Sequence, residues 1–256
     1  MYTAIPPPVS LAPYVINFWY AHGATPDVPQ AIHSDGCISI LWVTAGESQI
    51  NDVSIYSGAF LLGPQTTSHL WHFKTNQHTM FGVRLTPLGA KHFTTMPLKY
   101  AKNQCIELNE LVSTTKLTMK ISQPLATPRE CINTLSAWLE AHLKRFSYQL
   151  PTAYSLVLKQ IESKARSKKL SQLYDTMGVN SRCVERAFMD VMGIGAKEYA
   201  TLMEVSKSRN AIKHNPNKSL TEIAYDLEYT DQSHFIRQFK KVMKITPKQY
   251  RMRLPI

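Results

Sequence analysis

Arg186-Ala187-Phe188-Met189-Asp190-Val191-Met192-Gly193-Ile194 is answered 51 positions later by Arg237-Gln238-Phe239-Lys240-Lys241-Val242-Met243-Lys244-Ile245. The match continues from Lys197-x-Tyr199 to Lys248-x-Tyr250. A period of about 50 residues signals one supersecondary unit built twice. Each copy opens on a polar capping residue and carries a short helix with one apolar and one basic face. That is what a helix-turn-helix needs to lay a helix against DNA.

In the first copy, Leu170, Leu173 and Met177 form the apolar face of a supporting helix. Gly178 ends it, where a positive φ is cheap. Val179 packs inward and Asn180 caps the next helix. There Val184, Ala187 and Phe188 share the inner face, while Arg182, Glu185 and Arg186 face outward as candidate DNA contacts. In the second copy, Ser219 and Glu222 have capping-box spacing around a helix holding Leu220, Ile223, Ala224 and Leu227. Tyr229 packs in the turn, and Thr230 or Asp231 caps the recognition helix. Phe235, Phe239 and Val242 face inward; Gln232, Ser233, Ile236, Arg237 and Lys240 face outward. Gln and Arg pair bidentately with base edges, and an aliphatic group meets a thymine methyl. Lys241 and Lys244 suit phosphates, which give affinity without sequence information.

Between the copies, Ala196 to His214 reads as one continuous helix, ended by Asn215-Pro216. About 18 helical residues span roughly 27 Å. That approaches the ~34 Å of one duplex turn once each unit adds its own width. Two recognition helices in successive major grooves on one face of DNA are the expectation.

The charge follows the repeat. Residues 1–150 carry 10 Lys+Arg against 8 Asp+Glu, a net +2; residues 151–256 carry 19 against 10, a net +9. A basic carboxy-terminal part is the electrostatic footprint of a phosphate-bearing partner, here double-stranded DNA. Cys37, Cys105, Cys131 and Cys183 are scattered without metal-binding spacing, so free thiols are expected. The chain has neither the charged start and apolar run of a signal peptide nor about 18 successive apolar residues. A soluble cytoplasmic protein is the expectation.

Residues from about 155 to 253 resemble the DNA-binding domain of the AraC/XylS-type transcriptional regulators. The resemblance is carried by Leu220-Thr221-Glu222-Ile223-Ala224, by Asp231-Gln232-Ser233-His234-Phe235-Ile236-Arg237-Gln238-Phe239-Lys240-Lys241 and by Thr246-Pro247-Lys248-Gln249-Tyr250-Arg251. In the first unit it rests on Gly178-Val179, Arg182, Val184, Arg186, Phe188, Gly193 and Tyr199. The chain departs from the family pattern at Glu228-Tyr229, where Gly-Phe is usual, and at Lys244, where Gly is usual. Tyr174 replaces a small residue and Glu204 an Arg. Where φ must be positive, a non-glycine costs about 1 kcal/mol. The resemblance implies two helix-turn-helix units joined by a long helix. It also implies a transcription regulator, an activator in keeping with the family, with RNA polymerase as a candidate partner.

The first hundred residues read mainly as short strands separated by Gly, Pro and Asn, the pattern of a barrel or sandwich. Ile38 to Val43, an alternating stretch from Ile50 to Tyr56, Phe60 to Leu62, His69 to Phe73 and Met80 to Leu85 are the candidates. Pro87 to Phe93 begins a short helix. Leu11-x-x-Tyr14-Val15-x-x-Phe18-Trp19, Asp35-Gly36-x-x-x-Ile40 and Gly82-Val83-x-Leu85-x-Pro87-x-Gly89 resemble the sensor half found in part of the same family. Ser34 stands where that pattern has Pro. The resemblance implies a cupin-like barrel that binds a small effector and helps to dimerise. Trp19, Trp42, Trp71 and Phe81, with Arg84 for a carboxylate, are the candidate effector contacts; the alternative is that the aromatics simply fill the barrel.

Residues 128 to 147 read as a helix capped by Thr127 with Pro128 at its first position. Ile132, Leu135, Leu139, His142 and Phe146 make a heptad seam that serves either a homodimer or docking onto the chain's own barrel. The fold class is therefore α+β in two domains. Residues 1–147 form the sensor and dimerisation domain, and residues 151–256, beginning with a helix from Thr152 to Ser163, the all-α DNA-binding domain.

No catalytic, metal or cofactor site is expected. The competing enzyme reading is a metal-dependent cupin with an appended DNA-binding module. It would need His33, Asp35, His69, His72 and His78 to converge, and they lack a His-x-His pair followed by a placed Glu. A DNA-repair protein would need clustered cysteines, and these four are dispersed.

Overall fold

The computed structural model describes residues 2–25, 28–50, 52–94, 96–111, 127–143, 149–163 and 170–254. The amino-terminal half holds strands β1 (Tyr2–Ile5), β2 (Val15–Ala24), β3 (Gln30–Ile32), β4 (Ile38–Ala45) and β5 (Ser48–Ile50), then β6 (Val53–Ile55), β7 (Gly58–Leu62), β8 (His69–Phe73), β9 (Gln77–Leu85) and β10 (Cys105–Glu107). Among its described residues are also the α-helices α1 (Pro87–Phe93) and α2 (Pro128–Leu143). One antiparallel sheet runs β1-β2-β9-β4-β7-β10 and a second runs β3-β8-β5-β6. Among the described residues no ladder joins them, so the expected closed barrel is instead a pair of open sheets. The alternating stretch at Ile50 to Tyr56 is not one strand. It divides between β5 and β6, paired Ile50 to Val53.

The large sheet is covered on both faces, which explains why its central strands are apolar nearly throughout. Successive side chains of a strand point to opposite faces. On one face Phe18, Ile40, Trp42, Leu61, Phe81, Val83 and Leu85 pack against α1 and α2. On the other, Trp19, Leu41, Val43, Phe60, Leu62 and Met80 meet Ile50, Ile55, Trp71 and Phe73 of the small sheet. With helices on its outer face and a second sheet on its inner face, the large sheet has no need to close on itself.

The two capped helices form as their sequences require. Thr86 accepts a hydrogen bond from Gly89 N at 3.0 Å ahead of α1. Thr127 N donates to Glu130 Oε2 at 2.8 Å ahead of α2. Ile132, Leu135, Leu139 and His142 are buried against the chain's own core, with His142 Nε2 2.8 Å from the Phe93 carbonyl oxygen. The heptad seam thus docks within the chain; it is not an open dimer face. Phe146 and the expected end of that helix lie outside the described residues.

The carboxy-terminal half is helical: α3 (Thr152–Ser163), α4 (Leu170–Met177), α5 (Ser181–Met192), α6 (Ala196–His214), α7 (Leu220–Asp226), α8 (Gln232–Met243) and α9 (Pro247–Met252). Its core, from Tyr154 through Phe188, Leu202, Phe235 and Phe239 to Tyr250, includes no residue of the sheets. Each buried phenylalanine there is worth ~1.5–3 kcal/mol. The two halves keep separate cores and meet through a mixed seam. Lys91 pairs with Asp190 at 2.7 Å and Lys102 with Glu198 at 2.8 Å. Ser68 N donates to the Val242 carbonyl at 2.7 Å. Gly193 lies against the Leu98 backbone, where a Cβ would be only 2.4 Å from the carbonyl group.

Candidate nucleic-acid interface and an adjoining cavity

The repeat written in the sequence is repeated in the backbone. The turn before α5 places Gly178 at φ +61, and the matching turn before α8 places Glu228 at φ +58. The turn after α5 places Gly193 at φ +73, and the one after α8 places Lys244 at φ +61. The second unit therefore holds the left-handed conformation with side chains the conformation disfavours. The helix starts are capped as expected. Asn180 Oδ1 accepts from Arg182 N at 2.9 Å, and Asp231 Oδ1 from His234 N at 2.7 Å. Ser219 and Glu222 form a reciprocal capping box ahead of α7. Asp231, rather than Thr230, caps the second recognition helix.

Gln232, Ser233, Arg237, Lys240 and Lys241 are exposed along α8, and Ile236 is half-buried beside them. Arg182 and Arg186 are exposed on α5. Glu185 differs from expectation. Its Oε1 accepts from the Tyr174 hydroxyl at 3.2 Å and its Oε2 from Ala196 N at 3.0 Å. One carboxylate thus ties the supporting helix, the recognition helix and the first turn of α6 together. Burial, reinforced by Glu185, raises the Tyr174 hydroxyl pKa. The departure at Tyr174 is accommodated by turning Glu185 inward, away from the DNA face.

Helix α6 is the spine of this half. The first unit attaches at its head through the Glu185–Ala196 bond and the contact of the Phe188 and Tyr199 rings at 6.0 Å. The second attaches further along, through Gln238 Nε2 to Glu204 Oε2 at 2.8 Å and the Tyr229 and Ser208 hydroxyls at 3.0 Å. From Tyr199 to Ser208 the rise is about 13 Å. The remaining distance to one duplex turn has to come from the outward reach of each unit. Burial on several sides, at Tyr199, Leu202, Val205, Ser208 and Ile212, shows that α6 is a packed core helix as well as a spacer.

Between the two sheets, at the seam with α6, lies a cavity of about 720 Å³. Trp19, Trp71 and Arg84 line it as the sequence suggested. Trp42 and Phe81 do not: at 0% and 3% exposure they belong to the opposite, helix-covered face of the large sheet. Strand parity requires this, because Phe81 and Arg84 lie an odd number of residues apart on β9. Gly82 faces the cavity side with Trp19 laid over it, and a Cβ there would stand 2.1 Å from the indole. Leu41, Gln65, Met80 and, from α6, Arg209 were not anticipated as lining residues. Leu41 and Met80 follow from the parity of Arg84 once the strands are known; Gln65 and Arg209 carry no such signal.

One end of the cavity gathers His33, Asp35, Gln65, Arg84 and Arg209, while His78 lines it from six residues back along β9. Asp35 Oδ2 pairs with Arg84 Nη2, and Asp35 Oδ1 accepts from Cys37 N at 3.0 Å. Gln65 Oε1, His33 Nδ1, His78 Nδ1 and Arg209 Nε are buried without a hydrogen-bond partner. Burial, then the Arg209 charge, holds the His33 pKa down at about 4 against the opposing pull of Asp35. Burial pushes the Cys37 thiol up to about 12. Among the described residues no three His, Cys, Asp or Glu side chains converge as a metal ion would require. No described helix is long and apolar enough to cross a membrane.

Two helix-turn-helix units on one connecting helix define a DNA-binding protein. Residues 173–253 match a family described as a helix-turn-helix domain, and residues 3–107 match a domain of unknown function, DUF6597. The chain is 21% identical over 182 residues to the HTH-type transcriptional activator RhaS of Enterobacter sp. (strain 638), covering 70% of this chain and 57% of that protein. The alignment thus spans little more than half the length of that relative. In fold the chain is similar to ToxT from Vibrio cholerae, with a TM-score of 0.52 and 13% identity over 93% of this chain and 99% of that one. A second ToxT structure, bound to (E)-4-(8-methylnaphthalen-1-yl)but-3-enoic acid, gives a TM-score of 0.50 and 11% identity over 98% of each chain. Residues 173–253 thus carry a helix-turn-helix domain of the AraC/XylS type, and the chain is similar to transcriptional regulators that carry one.

Proposed function

We propose that this protein is a sequence-specific transcription regulator that reads duplex DNA with α5 and α8 and answers to an apolar organic acid held in the cavity. The carrying observation is the pair of recognition helices on one spine, each capped, each preceded by a left-handed turn and each exposing cationic side chains. Arg182, Arg186, Gln232, Ser233, Ile236, Arg237 and Lys240 are the proposed base-facing set, with Lys241 and Lys244 on phosphates. Activation, with RNA polymerase as partner, rests on likeness to an activator. A homodimer would have to use a surface other than the α2 seam.

The acid is supported by the cavity itself. Its size falls within the usual ~300–1,000 Å³ of small-molecule sites. Trp19, Leu41, Leu62, Trp71, Phe73 and Met80 give it apolar walls, and two arginines, Arg84 and Arg209, line it beside a single carboxylate, Asp35, which pairs with Arg84. A similar fold is known with a naphthyl carboxylic acid bound. Residues 1–147 would then be the sensor and residues 151–256 the reader.

Selection from a random duplex pool at physiological salt tests the reading. Two short conserved elements about one helical turn apart are expected. A selected pool no different from its input would refute it.

A further inference from the structure

The ion pair at the polar end of the cavity faces two ways. Asp35 Oδ2 holds Arg84, while Asp35 Oδ1 closes the turn onto Cys37 N. The next residue, Gly36, has φ +72 and backs onto the carboxy-terminal half: a Cβ there would lie 3.0 Å from the Tyr199 ring and 3.5 Å from Ile194. Ile194 sits between α5 and α6, and Tyr199 is in the first turns of α6, its hydroxyl 2.8 Å from Glu162 Oε1 on α3. The same turn is anchored on its other side by Ser34 Oγ donating to the Gln65 carbonyl, and Gln65 is 7% exposed with its own Oε1 unpartnered in the cavity. One short turn therefore touches the cavity's arginine and the joint that orients the first reader.

We propose that Asp35 is an internal stand-in for the ligand's acid group, and that an incoming carboxylate takes Arg84 from it. Exchange of one carboxylate for another at a guanidinium is nearly balanced. The net drive then comes from burying the ligand's apolar body and from Arg209, which offers a second cationic contact. Once released, Asp35 no longer ties the Ser34-Asp35-Gly36 turn to β9. The seat of Gly36 on Tyr199 and Ile194 loosens, and with it the setting of α5 relative to α6. A ligand shifts such an equilibrium only by its preference for one state, and here the preference is the vacated Arg84. This inference rests on the cavity being an acid site.

The test uses the full chain, a naphthylbutanoic acid and its methyl ester as the uncharged control. Calorimetry reads ligand binding, and fluorescence anisotropy reads affinity for the selected duplex. The acid is expected to bind at least tenfold more tightly than the ester and to change DNA affinity fivefold or more. D35N without acid should already show the acid-loaded DNA affinity, should bind the acid at least as tightly as wild type and should no longer respond to it. G36A forces a methyl against Tyr199 while leaving the cavity charges alone. It should shift DNA affinity in the same direction while still binding the acid. If the acid binds, with R84Q abolishing binding, yet D35N keeps the wild-type response, the exchange is refuted and the acid site stands. If neither wild type nor D35N binds the acid, the cavity reading itself falls. Should D35N not fold, G36A with wild-type DNA affinity and full acid response overturns the exchange.

Discussion

Replacing Glu185 by alanine separates two roles that its sequence position leaves open. A residue flanked by Arg182 and Arg186 on a recognition helix invites assignment to DNA, but its carboxylate bonds Tyr174 at 3.2 Å and Ala196 N at 3.0 Å. The start of α6 has no other side-chain cap, since Gly195 occupies the capping position. Truncation removes two hydrogen bonds to a charged acceptor and leaves the Tyr174 hydroxyl, on a residue only 7% exposed, without a partner. With some relief from solvent, the loss is about 2–4 kcal/mol. Glu185→Gln keeps one acceptor and should lose about half as much. In thermal unfolding followed by circular dichroism, a loss of that size lowers Tm by roughly 5–15 °C for a chain of this length. Base preference in a selected duplex should stay as in wild type. An unchanged Tm together with an altered preference at one base pair would show that Glu185 faces DNA after all.

Arg237→Ala should cost about 1–3 kcal/mol on the selected site and relax preference at one position, whereas Lys241→Ala should weaken all sequences alike and reduce the salt slope by about one. Equal losses for Arg237→Ala on selected and random duplexes would contradict its assignment. Leu139→Ala, at a site 1% exposed beneath the large sheet, should destabilise the amino-terminal half by ~2–5 kcal/mol independently of protein concentration. A Tm that varies with concentration in wild type and not in the variant would return the seam to a dimer. The His33 pKa is depressed to about 4 in the folded state, from about 6.5 unfolded. The unfolded chain therefore binds the extra proton in that window. The stabilisation is whole above the unfolded value and is lost as pH falls toward the folded one. His33→Gln should flatten this part of a stability–pH curve, and a curve of identical acid slope would exclude the effect.

The helical half was legible because its signals are local. A cap, a 3.6-residue apolar stripe and a turn residue fall within a dozen positions, so α5, α6, α7 and α8 stand where the pattern put them. Even the awkward residues spoke: Glu228 and Lys244 occupy the positive-φ positions implied by their places in the repeat. The amino-terminal half was less legible because strand pairing is non-local. Trp42 and Phe81 are as aromatic as Trp19 and Trp71, and composition alone does not say which face of the sheet each takes. The cavity needed more still, because it joins a turn at Asp35, strand β9 and a helix some 125 residues further along the chain at Arg209.

The twice-written pattern, its caps and its basic faces were decided by residues near one another in the chain, where helix periodicity and turn chemistry act. Whether Glu185 points to DNA or to Ala196, whether the α2 stripe meets a partner or its own sheet, and which side chains enclose the cavity were decided by packing. Those outcomes depend on which surfaces the folded chain brings together, and burial takes them from water only then.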